Sequence, residues 1–190
     1  KAYRTYNGIV YESSASAEKS AIAAEVSDTS TQAKLFKTKS AFKKSAACKK
    51  NKNFTKKLDY AKSFPMPGML NTNVAEFGCG TMIPQGITVA KSYFFITAYD
   101  SQGIENSVVY VLSKEDKELM TTIVLPNKSH AGGIAFDGKN LWITQAKTLR
   151  SIPYSAVKGA IDNQDPYLEL SAYGVEINLP QQAATVTYYK

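Results

Sequence analysis

A single histidine, His130, and two cysteines, Cys48 and Cys79, are all the imidazole and thiol groups that this chain of 190 residues offers to a zinc ion. A structural zinc site takes about four Cys or His ligands, and no C-x-x-C spacing is present, so that class is excluded. The two cysteines either pair in an oxidising compartment or stand as separate thiols. Both readings stay open, because Cys48 lies in a polar segment with little to hold it in place. No stretch approaches the roughly 20 apolar residues that a membrane-spanning helix needs, so no membrane span is expected. Acids are missing altogether between Lys34 and Lys57, where ten lysines fall. An initiator methionine is missing too: the chain opens at Lys1, as expected after removal of a signal peptide or after trimming.

The local lack of acids explains the net charge of +7. With ten of the 23 basic residues in one tract, 13 remain elsewhere against 16 acids, so the basicity belongs to a segment and not to the whole chain. Large apolar residues are scarce in the same region. From Ser13 to Ser63, Ala, Ser, Thr and Lys dominate, with Leu35, Phe36, Phe42, Phe54 and Leu58 almost alone among the bulky side chains. That is too little apolar area to offset about 1–2 kcal/mol of backbone ordering entropy per residue, so residues 1–64 are expected to be a low-complexity, partly helical or disordered basic segment. Within it, alternating residues around Asn7-Gly8 predict a short hairpin at residues 2–11. Pro65, Pro67 and Gly68 mark residues 65–81 as a linker and lead-in.

What is present lies mostly after that linker. The stretch HAGGIAFDGKNLWIT, from His130 to Thr144, reads as a second pass over PQGITVAKSYFFIT, from Pro84 to Thr97. Placing Gly133 on Gly86 puts Ile134 on Ile87, Phe136 on Val89, Leu141 on Phe94, Trp142 on Phe95, Ile143 on Ile96 and Thr144 on Thr97, an ungapped offset of 47 residues. Gln182, Ala183, Thr185 and Val186 match Gln85, Gly86, Thr88 and Val89 and open a third pass. Period-two patterning predicts four strands in the first unit, GITVA, YFFITAY, VVYVLS and LMTTIVL, and four in the second, GIAF, LWITQ, TLRSI and EINL. An insertion before the last strand is expected to hold one helical turn around Ser155 to Ala160.

Four short strands recurring at this spacing predict an all-β chain of β-propeller blades over residues 82–190, two four-stranded units plus the start of a third. A sheet with two apolar faces cannot bury both alone, so neighbours must stack. Gly86 and Gly133 are expected where the innermost strands crowd together, and Phe95 and Trp142 between blades.

Residues 82–190 resemble the opening blades of bacterial propellers of the NHL, YVTN-type and gluconolactonase-like groups, on the strength of GGIAFDGKNLWIT and the VYVL strand. Complete rings of that kind have about 4–8 blades, which implies a truncated chain or, less simply, a ring completed by other copies. The resemblance also implies a secreted or cell-surface protein whose ligand binds where the loops leading into the inner strands gather. Those positions are Pro84 and Gln85, His130 and Ala131, and Gln181 and Gln182.

Gln85, His130, Gln181 and Gln182 are therefore the expected ligand-binding residues, amide and imidazole groups suited to hydrogen-bonding a carbohydrate or protein ligand. Calcium in gluconolactonase-like enzymes is held by carboxylates and amides from several blades, and no acid stands at these positions. Neither a metal nor another cofactor is expected. His130 is the simplest general base near neutral pH, but without a nucleophile placed beside it the plainer role is a loop side chain that caps a neighbouring blade. The alternative to a binding module is a propeller enzyme of lactonase or lyase type with its catalytic groups in further blades. Asp137, in DGKN, reads as a turn former. The lysine tract Lys34 to Lys57 suits an anionic cell-wall polymer through screened Coulomb attraction, and its sparse aromatics disfavour nucleic acid.

Overall fold

The computed structural model describes residues 2–6, 9–13, 39–50, 56–57, 62, 64, 81–170 and 174–189. Near the start, β1 (Ala2–Tyr6) and β2 (Ile9–Ser13) pair antiparallel with Tyr6 opposite Ile9, the hairpin pairing the sequence predicts; Asn7 and Gly8 lie outside the described residues. Two short helices follow, α1 (Lys39–Lys44) and α2 (Ala46–Lys50). Lys39, Lys43, Lys44, Lys49, Lys50, Lys56 and Lys57 are exposed, Phe42 is half-buried and Cys48 is buried. Cys79 lies outside the described residues, and the choice between a Cys48–Cys79 pair and two separate thiols lies outside them too. Among the described residues no helix is long and apolar enough to cross a membrane.

From Thr81 onward the chain is mostly β. The first sheet is a meander of β3 (Met82–Ala90), β4 (Tyr93–Asp100), β5 (Val108–Ser113) and β6 (Leu119–Val124), all antiparallel. The second runs β7 (Ala131–Phe136), β8 (Asn140–Gln145), β9 (Thr148–Pro153) and, after an insertion, β11 (Val175–Asn178), again antiparallel. The insertion is larger than one helical turn. It holds α3 (Tyr154–Asp162) and then β10 (Tyr167–Glu169), which joins the far edge of the first sheet parallel to β6 and makes that sheet five-stranded. β3 is also longer than expected, starting at Met82 and carrying an irregularity between Pro84 and Ile87.

Strand alternation assigns the faces. Phe95, Val109, Val111 and Ile123 from the first sheet meet Ile134, Leu141, Ile143 and Ile152 from the second, and Val157, Ala160 and Ile161 of α3 close the same cluster. Burial of one such side chain contributes roughly 1.5–3 kcal/mol, so this layer dominates the cohesion between the sheets. The opposite face of the first sheet is buried as well, through Ile96, Val108, Tyr110 and Val124 with Phe64 packed against them. The Phe64 and Phe94 rings lie 5.6 Å apart with the Lys117 ammonium over both.

Phe95 takes its expected place between the two sheets, and Trp142 faces the other side of the second sheet. Leu141 and Ile143 point to the first sheet, so Trp142 between them points away, half-buried, on a face where Val175 and Ile177 are 62% and 43% exposed. Its indole N–H donates to Asp137 Oδ2 at 2.7 Å. Asp137 Oδ1 accepts from the N–H groups of Lys139 and Asn140, which closes the β7–β8 turn around Gly138 at φ 99°. Asp137 is the turn former its DGKN setting suggests.

Candidate functional site

β3 and β7 run side by side at the inner edges of their sheets, and the approach is too close for side chains. A Cβ on Gly86 would lie 2.8 Å from the Gly132 carbonyl oxygen and 3.2 Å from Gly133 Cα. A Cβ on Gly133 would meet Val186 N at 2.6 Å and Thr185 Cα at 2.8 Å. The segment after Pro180 thus lies along β7, joined by Gly133 N–H donating to the Ala184 oxygen at 2.8 Å. The crowded contact falls on Ala184 to Val186, one to three residues beyond Ala183. Thr97 fastens the first seam: its hydroxyl accepts from Gly86 N–H at 2.9 Å and donates to the Gly132 oxygen at 2.6 Å.

The end of the sheets at which β3 and β7 begin collects the expected binding residues. Ile83 pairs with Tyr99, and the Tyr99 ring stacks on His130 with centroids 3.7 Å apart. Ala131, next to His130, pairs with Gln145; Ala146, next to Gln145, accepts a hydrogen bond from Ala183 N–H at 3.1 Å. Gln85 thus lies inside β3, at its irregularity between Pro84 and Ile87, and not in a loop leading into it; His130 directly precedes β7, and Gln181 and Gln182 precede the segment that lies along β7. All four are exposed. The Gln85 amide donates to its neighbour, the Pro84 oxygen, at 3.1 Å.

The loop that carries His130 is held from two sides. Ser107 donates through N–H to the Asn127 oxygen and through its hydroxyl to the Ser129 oxygen at 2.7 Å. The buried Gln145 amide donates to the Asn127 and Ser129 oxygens at 3.0 and 2.8 Å. Gln145 Oε1 in turn accepts from Arg150 Nε at 3.1 Å, and Arg150 Nη1 pairs with Glu176. This line from the loop through Gln145 and Arg150 to Glu176 escapes sequence reasoning. The only hint is that a Gln, an Arg and a Glu stand at strand positions whose cross-strand partners are apolar or become known only once the register is fixed.

An acid does occur at this end. Asp100, paired opposite Met82, is 3% exposed. Burial alone would raise its pKa, but donation from the Thr81 hydroxyl and from the N–H groups of Gln102, Glu105 and Ile104 outweighs it and lowers the value to about 2. Both carboxylate oxygens are engaged, so Asp100 locks the loop after β4 and is neither an open ligand nor a proton donor near neutral pH. Among the described residues no three His, Cys, Asp or Glu side chains converge on a point that could hold a metal ion.

No protein-family model matches this chain, and no curated protein sequence does either.

Proposed function

We propose that residues 82–190 form the opening blades of a β-propeller and that the protein is a secreted or cell-surface module. Its ligand, a carbohydrate or a protein, binds at the end where the inner strands begin. The observation that supports this reading is the contact of the Tyr99 and His130 rings, tilted by 35°, together with the exposure of Gln85, His130, Gln181 and Gln182. Aromatic faces lie flat against sugar rings or apolar side chains, while amides and imidazole exchange hydrogen bonds with hydroxyl or peptide groups. Asp100, saturated by its own loop, leaves no free carboxylate of its own for acid–base work, which favours binding over lactonase or lyase chemistry. The placement outside the cell rests on the resemblance to bacterial propellers.

An oligosaccharide array and a peptide array, each probed with the whole chain and with His130→Ala and Gln182→Ala, test this. Saturable binding weakened about tenfold by either exposed substitution supports the site. Binding to neither array, or binding indifferent to both substitutions, overturns it.

The basic segment has its own role in this reading. Lys39, Lys43, Lys44, Lys49, Lys50, Lys56 and Lys57 are exposed, and their charge favours attraction of an anionic cell-wall polymer that weakens as salt screens it. Deletion of residues 34–57 should abolish retention on immobilised teichoic acid at low salt. Retention unchanged by the deletion and by salt would remove the tract as a binding element.

A further inference from the structure

Asn127, Lys128 and Ser129 form an N-x-S triplet, and Asn53, Phe54 and Thr55 form an N-x-T triplet; no other asparagine of the chain heads such a sequence. A triplet of this kind accepts N-linked glycan in an exported protein, provided that it stands on the surface where a bulky polar group has room. So short a motif gains its meaning from its surroundings. Those of Asn127 are on view, whereas Asn53 lies outside the described residues.

The Asn127 triplet occupies the loop between β6 and β7, and that loop divides its polar groups between two sides. Its backbone oxygens face the protein. The Asn127 oxygen accepts from Ser107 N–H at 3.1 Å and from the Gln145 amide at 3.0 Å, and the Ser129 oxygen accepts from the Ser107 hydroxyl at 2.7 Å and the Gln145 amide at 2.8 Å. The outer side belongs to the side chains. Pro126, Lys128, Ser129 and His130 are exposed, and Asn127 is half-buried. Asn127 Oδ1 accepts from Ser129 N–H at 2.9 Å in a solvent-exposed turn, which brings the carboxamide and the hydroxyl of the triplet together. Among the described residues, no protein group bonds to the Asn127 amide nitrogen or to the Ser129 hydroxyl. A glycan on that nitrogen thus takes no hydrogen bond from the fold: the loop is anchored through backbone oxygens, and Oδ1 keeps its turn bond after conjugation.

We propose that Asn127 is a glycosylation site whose amide nitrogen carries an N-linked oligosaccharide. The inference rests on the placement outside the cell proposed above, because the donor, an oligosaccharide joined through a diphosphate to a polyprenol, belongs to the membrane that an exported chain crosses. The amide nitrogen forms a bond to the anomeric carbon of the first sugar, the bond from that carbon to the diphosphate oxygen breaks, and the nitrogen gives up one proton. Polyprenyl diphosphate leaves, and nothing is oxidised or reduced.

The test is peptide mapping by mass spectrometry of the whole protein recovered from its own source, outside the cell and inside it. Each fraction is treated with peptide N-glycosidase in heavy-oxygen water, which tags every asparagine freed of a glycan. The expected result is a tagged Asn127 peptide from the extracellular protein, lost completely in Asn127→Gln and in Ser129→Ala and retained in Ser129→Thr, which keeps the triplet. Retention in Ser129→Thr separates loss of the acceptor sequence from damage to the loop. Untagged Asn127 on protein recovered outside the cell overturns this proposal alone, and protein found only inside the cell overturns the extracellular reading and this proposal with it. A tag confined to Asn53, or a tag on Asn127 that survives Ser129→Ala, also overturns it.

Discussion

Replacing Gly86 by alanine puts a methyl group into the seam between β3 and β7. Its Cβ would sit 2.8 Å from the Gly132 oxygen, 3.1 Å from Thr97 Oγ1 and 3.2 Å from Gly133 Cα. Two of these neighbours are backbone, and the third is the hydroxyl that bridges the sheets, so none is a free-swinging side-chain end. Opening such a contact by a few tenths of an ångström is overpacking, which costs about 1–3 kcal/mol. Stretching the hydrogen bond from Thr97 to Gly132 adds up to about 1 kcal/mol. Alanine restricts the unfolded chain and returns about 0.5–1 kcal/mol. The net expectation is a loss of about 2 kcal/mol, which for a chain of this size lowers the thermal midpoint by about 4–8 °C. Gly159→Ala is the matched control, because Gly159 lies within α3 with no atom inside 4 Å of the added Cβ. It should stabilise by about 1 kcal/mol through helix propensity alone. Thermal and urea unfolding of both variants decide the matter. If Gly86→Ala melts at or above the parent temperature, the two inner strands do not approach as described.

Three further outcomes are expected. Asp100 has its pKa depressed from 3.8 to about 2, so it contributes stability that is fully present above pH 3.8 and lost as the pH falls through about 2. That contribution is about 2 kcal/mol, and Asp100→Asn should flatten the acid limb of a stability-against-pH curve in this window; an unchanged limb would refute the assignment. Trp142→Phe removes the indole donor to Asp137 Oδ2 while keeping an aromatic face, and should cost about 1 kcal/mol in urea unfolding. The cost should vanish in the background of Asp137→Ala, which has no side-chain acceptor, if the two act through that bond, as a double-mutant cycle reads directly. Gln145→Leu leaves Arg150 Nε without its partner and the Asn127 and Ser129 oxygens with their Ser107 donors only, at a cost of about 1–3 kcal/mol with faster amide exchange across residues 126–130; slow exchange retained there would show that Ser107 alone holds the loop.

Much of the strand order was legible because strand alternation is a local signal. VVYVLS is β5, and LWITQ and TLRSI fall within β8 and β9 to within a residue at either end. The strand β10 was not legible. It has three residues, and it forms because Pro166 and Tyr167 reach the free edge of β6, a partner more than forty residues away. How far Trp142 is covered was not legible for a related reason. Similarity to Phe95 fixes its position along the strand, but only the neighbouring sheet decides whether that face is covered. At the candidate site, the sequence named His130 and the glutamines but not Tyr99, whose ring reaches His130 only because β3, β4 and β7 end together.

By itself, then, the sequence determined where this chain is β, where the chain turns, and where glycine must stand, since period-two patterning, Asp137-Gly138 and the small residues at Gly86 and Gly133 act within one strand or turn. Tertiary structure alone decided that Gln145, Arg150 and Glu176 form one line behind the His130 loop, and that Asp100 spends its charge on its own loop. The physical reason is range: backbone patterning acts over a few residues, whereas a buried charge is defined by whatever distant groups surround it once water has been excluded.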